Sequence, residues 1–304
     1  MTNKHVSGFV SILGRPNAGK STLLNALVGF KVAIVANKPQ TTRTSIQGVL
    51  TTPEAQVVFI DTPGIHKAEN AIQKRMMNAV RDALNERDLL LYLADATERF
   101  TEADRHALTL LGKSDAPAIL VLNKTDLVKQ QEVVLPLIDQ YRQLHDFVDY
   151  IPISALRGSN LDALRAAIIS RMPEGPRYFP EDHVTDQPER FIAAELIREK
   201  ILQETGQEVP HSVAVLIDRW EEAPNITRIY ATVFVEREGQ KGIVIGQGGQ
   251  MLKRIGTQAR QDMENLLGVR IFLQLHIKVQ PNWREKPAFL NALDWRTMAD
   301  TNET

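Results

Sequence analysis

Cysteine is absent from this chain, and with it every disulfide and every thiolate-ligated zinc or iron–sulfur site. The seven histidines are scattered without ligand spacing, so any metal here must be bound by oxygen. No apolar run approaches the length of about 18 residues that crosses a bilayer, and the stretch from Met1 to Ser7 lacks the basic-then-apolar profile of a signal peptide. These absences predict a cytosolic protein. Neither sign of charge dominates: Lys and Arg number 36 against 37 Asp and Glu, for a formal net charge of -1. A global basic coat is excluded, and any nucleic-acid site must come from local clustering. Tandem repeats and low-complexity tracts are missing as well.

What is present is ordinary globular material: 43% hydrophobic and 24% charged residues over 304 positions, about twice the size of one typical domain. From Gly8 to about Arg171, short apolar runs alternate with long helical patterns. Phe9–Leu13, Val57–Ile60, Leu89–Ala94, Ala118–Leu122 and Tyr150–Ile153 read as buried strands. Apolar strands separated by helices predict a mainly parallel, doubly wound α/β sheet covered on both faces. Between Met172 and Pro188 the periodicity lapses into proline, glycine and acidic residues, the composition of an exposed connector. The second unit then reads as α+β, with a helix over Arg190–Thr205, strands over Ser212–Trp220 and Ile229–Glu236, a helix, a Gly-rich turn at Gly246–Gly249, a helix to about Leu267, and a strand over Val269–Val279. The predicted division is a first domain over 1–172, a linker over 173–189, a second domain over 190–284 and a tail over 285–304.

Three segments of the first domain carry nucleotide chemistry. Gly14, Arg15, Pro16, Asn17, Ala18, Gly19, Lys20 and Ser21, with Thr22 behind them, follow a strand and open a helix. In that context backbone N–H groups and the helix N-terminus face phosphates, Lys20 reaches the β and γ oxygens, and the Ser21 hydroxyl binds Mg2+. A chance match in a chain this long has odds of roughly one in a hundred. Asp61, Thr62, Pro63 and Gly64 end another strand, where the carboxylate holds a Mg2+-bound water and the Gly64 N–H meets a γ-phosphate. Such a pattern occurs about once by chance in 300 residues, so its position after a buried strand gives it weight. Asn123, Lys124, Thr125 and Asp126 end a third strand. The Asp126 carboxylate can accept two hydrogen bonds from the N1–H and 2-amino group of guanine, a pair of donors that adenine lacks. Ser154 and Ala155 are placed to add backbone contact to the base.

Lys38–Arg43 lies between the first helix and the next strand, where a threonine can complete a Mg2+ shell only when a γ-phosphate is present. Thr42 is preferred over Thr41. Lys20, Thr42 and Gly64 are the candidate catalytic groups, and Ser21, Thr42 and, through water, Asp61 the candidate metal set. Ile65 follows Gly64 where many GTPases place a water-orienting glutamine; an alkyl side chain positions no water, so hydrolysis is expected to be slow without help.

In the second domain Gly246, Gln247, Gly248 and Gly249 fit the loop by which a KH domain clamps a single-stranded RNA backbone. The four residues alone say little, but two strands before the loop and one after it, in the order of a type II KH module, give them context. Lys241, Lys253, Arg254 and Arg260 surround the loop with one acid, Glu238, nearby, which predicts a local positive field. Ile243, Ile245 and Ile255 are expected to build the core and the wall of a base groove.

Gly14–Ser21, Gln40–Arg43, Asp61–Ile65, Asn123–Asp126, the connector Phe179–Asp186 and the run Val235–Lys241 together resemble the Era family, bacterial GTPases of ribosome assembly, from about Gly8 to Trp283. The resemblance implies a Mg2+-dependent GTPase with a KH domain, acting on the 3′ end of 16S ribosomal RNA and the 30S subunit. It further implies RNA rather than DNA as partner, a monomer, K+ held through Asn17, and peripheral association with the inner membrane beside a cytoplasmic pool. Two other readings stand beside it: a GTPase subunit of an RNA-modifying enzyme, and an RNA chaperone whose nucleotide site is only structural.

Overall fold

The computed structural model describes residues 5–85, 87–129, 134–206 and 208–295. Its central strand is β1 (Val6–Gly14), which pairs in parallel with β3 (Ala55–Asp61) and β4 (Leu89–Asp95). Outward from β4 lie β5 (Ala118–Asn123) and β6 (Asp149–Pro152), both parallel, and outward from β3 lies β2 (Ile46–Thr51), antiparallel. The order is β2-β3-β1-β4-β5-β6. Alternate residues of each strand enter opposite faces: Val10, Ile12, Leu89, Leu91 and Leu93 belong to one buried cluster, Leu13, Leu90, Tyr92 and Ala94 to the other. Helices α1 (Lys20–Val28), α2 (Ala71–Asp82), α3 (Glu102–Leu111) and α4 (Val134–Arg142) connect successive strands, and α5 (Leu161–Ile169) follows β6; together they cover the faces of the sheet. The sequence pattern did not disclose β2, an edge strand whose Gln47 and Gly48 interrupt its apolar positions.

The rest of the chain forms α6 (Glu189–Glu204), β7 (Ala214–Ala223), β8 (Ile226–Val235), α7 (Glu238–Ile245), α8 (Gln250–Leu267), β9 (Ile271–Val279) and α9 (Pro287–Ala292). Strand β8 is central, antiparallel to β7 and parallel to β9. It begins at Ile226 rather than Ile229, because the polar pair Thr227 and Arg228 continues the alternation one turn of pleat further out. Ile197, Ile201, Val233, Val235, Val244, Ile255, Ala259 and Met263 form the core. The expected inward roles of Ile243 and Ile245 are corrected here: Val244 is fully buried, while Ile243 is exposed and Ile245 half-buried. Consecutive residues on a helix lie about 100° apart, so only one of the three can face inward. The segment over 285–304 is partly built into this fold. Trp283 is buried, its indole N–H donates to the Ser212 carbonyl at 2.8 Å, and Leu290 of α9 is buried too; the portion 296–304 lies outside the described residues.

By contacts the chain forms two units. One comprises Met1–Ala33, Thr42–Ala68 and Gln73–Asp186, and the other Ile34–Thr41, Glu69–Ile72 and Gln187–Thr304. The connector over 173–186 therefore belongs to the first unit. Buried Gln56 holds it there: its side-chain oxygen accepts the N–H groups of Tyr178 and Phe179 at 2.6 and 2.9 Å, and its amide donates to the Phe179 carbonyl at 3.0 Å. The composition of 172–188 suggested only an exposed stretch, because one distant glutamine is invisible in it.

Candidate functional site

The loop from Gly14 to Gly19 is held open by backbone geometry. Asn17 and Gly19 adopt left-handed conformations, with φ of 63° and 94°, so successive N–H groups turn into one concavity at the start of α1. Lys20 is buried and donates to the carbonyls of Gly14 at 3.3 Å and Arg15 at 2.9 Å. Burial pulls its ammonium down to about 8, against the charge of Asp61. Arg15 is anchored from outside the loop by an ion pair with Asp104 of α3 at 3.0 Å; the same carboxylate accepts the Tyr141 hydroxyl at 2.8 Å.

Gly64 lies against this loop. A Cβ there would stand 2.7 Å from both Cα and N of Pro16, so only glycine permits the approach. Two further bonds hold the segments together: the Ile65 N–H donates to the Gly14 carbonyl at 3.0 Å, and the Thr62 hydroxyl to the Ile12 carbonyl at 2.9 Å. The Ile65 side chain is buried in the core, away from solvent.

Ser21, Thr42 and Asp61 converge. The Ser21 hydroxyl donates to Asp61 Oδ2 at 2.6 Å and lies 2.8 Å from the Thr42 hydroxyl, which is itself 3.3 Å from Asp61 Oδ2. Asp61 is buried, and desolvation raises its carboxyl to about 6, opposed first by Lys20 and then by the hydrogen bonds from Ser21, Thr42 and the Thr62 backbone. Its second oxygen, Oδ1, is buried with no partner among the described residues. Two hydroxyls and a carboxylate with an unsatisfied oxygen make a donor set of the hard-oxygen kind that Mg2+ selects. Thr41 is turned elsewhere: its hydroxyl donates to the Lys38 carbonyl at 2.7 Å.

The third segment is locked before any base arrives. The Asn123 amide donates to the Ala18 carbonyl at 2.9 Å and its oxygen accepts the Ala155 N–H at 2.9 Å, tying the phosphate loop to the segment after β6. Lys124 has a φ of 66° and pairs with Asp95 at 2.6 Å. The Ser154 hydroxyl donates to Asp126 Oδ1 at 2.6 Å. Sequence reasoning placed Ser154 for backbone contact; its side chain is what orients the carboxylate.

Arg198 and Glu199 of α6, both nearly inaccessible, were not anticipated. Within the second unit, Glu199 accepts the Val35 N–H at 2.7 Å, and the Arg198 guanidinium, paired with Glu195, donates to the Thr41 carbonyl. In a sequence, Arg and Glu at helical spacing read as a solvent-facing stripe, so no local signal separates these two from surface residues.

At the other candidate site, Gly246, Gly248 and Gly249 all have positive φ, and a Cβ on Gly246 would lie 2.6 Å from that of Met251. The loop from Gly246 to Gly249 with exposed Gln247 thus turns tightly between α7 and α8. The expected single acid nearby is corrected. Arg254 pairs with Glu204 at 3.0 Å, Arg260 with Glu264 at 2.7 Å, and Lys241 lies 4.0 Å from Glu238, which leaves exposed Lys253 as the one of the four without a carboxylate partner among the described residues. Glu204 and Glu264 are distant in sequence or one turn away, and the fold brings them back.

Comparison with known proteins fits both sites. Residues 9–124 match the family model described as 50S ribosome-binding GTPase, and residues 208–284 that of the KH domain. The chain is similar to a crystal structure of Era with MgGDPNP and nucleotides 1506-1542 of 16S ribosomal RNA, at 41% identity and a TM-score of 0.93, over 96% of this chain and 99% of that one. It is equally similar to an Aquifex aeolicus Era variant bound to GDP.AlF4-, at 41% identity and a TM-score of 0.92, over 95% and 99% of the two chains.

Proposed function

The chain belongs to the Era family of GTPases, and on that premise we propose that it binds the 3′ end of 16S ribosomal RNA and acts in assembly of the 30S subunit in the cytoplasm. The observation that carries the enzymatic half is the convergence of Ser21, Thr42 and Asp61 beside buried Lys20. Residues Gly14–Thr22 cradle the phosphates of GTP or GDP, Asp61–Ile65 border the γ-phosphate, and Asn123–Asp126 with Ser154 and Ala155 select guanine. Ser21, Thr42 and, through a water, Asp61 would hold Mg2+, which would supply positive charge to the bound phosphates. Lys20 neutralises the charge that develops there, and the Gly64 N–H fixes the γ-phosphate. Ile65 orients no water, so turnover is slow. K+ held through Asn17 is the proposed supplement, and equal turnover in Na+ and K+ buffers rules it out.

The loop Gly246–Gly249 clamps the RNA backbone, with Lys241, Lys253, Arg254 and Arg260 around it. GTP orders Lys38–Arg43 and Ile65–Asn70 and so sets RNA affinity, while hydrolysis releases the RNA. Phosphate release from GTP but not ATP in Mg2+ buffer, together with tighter binding of a labelled 3′-terminal 16S oligonucleotide in a non-hydrolysable GTP analogue than in GDP, tests the reading. Absent phosphate release would favour an RNA chaperone, and equal RNA affinities would sink the coupling.

A further inference from the structure

A groove of about 480 Å3 opens on the first unit between the loop after β3 and helices α2 and α3. His66 and Lys67 come from the loop, Lys74 and Arg81 from α2, and His106 from α3. Lys74, Asn78 and Arg81 are spaced at i, i+4 and i+7, which puts them on one stripe of α2. No Asp or Glu among the described residues lines the groove. Arg81 donates to Asn78 Oδ1 at 2.9 Å, a neutral acceptor, and among the described residues no carboxylate pairs with Lys67, Lys74 or Arg81. The contrast with the Gly246–Gly249 loop is sharp, since there Arg254 and Arg260 each meet a glutamate. Like charges gathered without a counter-charge raise a local potential that an anion relieves.

The floor is of a different kind. Met77 and Leu110 are buried, and with Ala68 they form an apolar base beneath the cationic rim. A flat ring can lie on such a floor while its phosphate reaches the rim, and the volume falls in the range of about 300–1,000 Å3 typical of small-molecule sites. His66 lines the same groove, its ring fixed by an Nδ1–H donated to the Gly64 carbonyl at 2.6 Å.

We propose that this groove is a second nucleotide site, which takes a nucleoside phosphate either free or as one residue of an RNA strand. Phosphate oxygens meet Lys74, Arg81 and Lys67, and the base covers Met77 and Leu110. An occupant would touch His66 and, through it, the carbonyl of Gly64.

The test uses the full chain saturated with GDP and Mg2+, so that the guanine site is filled, and titrates inorganic phosphate, AMP and a short oligoadenylate by calorimetry. The oligoadenylate arm is run in the Gln247→Asp, Gly248→Asp background, which removes the RNA clamp. Saturable binding of AMP, or of the oligoadenylate alone, is expected, and which of the two binds identifies the source of the ligand. The variant Lys74→Glu with Arg81→Glu should lose that saturation while keeping its melting temperature and GDP affinity, since both side chains are exposed. No saturable binding of any probe, equal binding by the reversed variant, or inorganic phosphate binding as well as AMP would overturn the proposal.

Discussion

The buried guanidinium of Arg198 donates a hydrogen bond to the main-chain carbonyl of Thr41. The next residue is Thr42, whose hydroxyl belongs to the Ser21–Asp61 cluster. Replacing Arg198 by Met keeps its bulk and removes the donor, leaving both that carbonyl and the Glu195 carboxylate without their partner. The expected loss is on the order of 2–4 kcal/mol, read as a lower denaturation midpoint, with amide exchange over 34–41 accelerated. Arg198→Lys, which keeps the charge but not the fork, should recover only part of it.

Gly64→Ala pushes a methyl group into the Pro16 backbone, which has no flexible side-chain end to give way. Displacing the phosphate loop by a fraction of an ångström is expected to lower kcat for GTP on the order of 10²-fold, with a smaller change in GDP affinity. Single-turnover phosphate release against GDP titration separates the two.

Asp126→Asn should weaken GTP binding by about 1–3 kcal/mol and favour xanthosine triphosphate, whose 2-carbonyl accepts from the new amide. Ser154→Ala, which only frees the carboxylate to rotate, should cost less than Asp126→Asn. Competition between the two nucleotides reads both variants.

Gln247→Asp with Gly248→Asp sets two negative charges on the loop between α7 and α8. Gly248 has a φ of 58° and a ψ of 21°, a conformation that Asp tolerates, so the fold should survive. RNA binding is expected to vanish with GTP affinity unchanged, as measured by fluorescence anisotropy with each ligand; unaltered RNA binding would remove the clamp assignment.

Short-range features of this molecule were legible in its sequence. Lys20, Asp61 and Asp126 each belong to a motif that ends or directly follows an apolar strand, so strand pattern and motif located them together. The left-handed turns at Asn17 and Gly246–Gly249 likewise follow from local chemistry. Long-range partners were not legible: Asp104 beneath Arg15, Gln56 under the connector, and Glu204 against Arg254 of α8. Asp104, Gln56 and Glu204 meet partners far away in the chain, and period-based reading assigns such polar residues to the surface; Glu264, one turn from Arg260 on α8, was within local reach and was overlooked. Val244 failed for another reason, because three adjacent apolar residues do not reveal which one a short helix turns inward.

Gln56→Ala leaves three backbone groups of the connector unpaired and should destabilise the first unit on the order of 2–3 kcal/mol, visible as a lower melting temperature and earlier proteolytic cleavage within 173–186.

That connector also runs beside β2, where the Val49 N–H donates to the Val184 carbonyl at 2.8 Å and the Thr185 hydroxyl to the Gln47 carbonyl at 2.7 Å. A bare edge strand is a template onto which another chain can add, and proteins that leave one uncovered tend to assemble in sheets. Here the molecule occupies its own edge. A chain severed or loosened between Phe179 and Asp186 would expose a row of unpaired groups along Ile46–Thr51, and its first symptom in solution would be turbidity that grows with protein concentration.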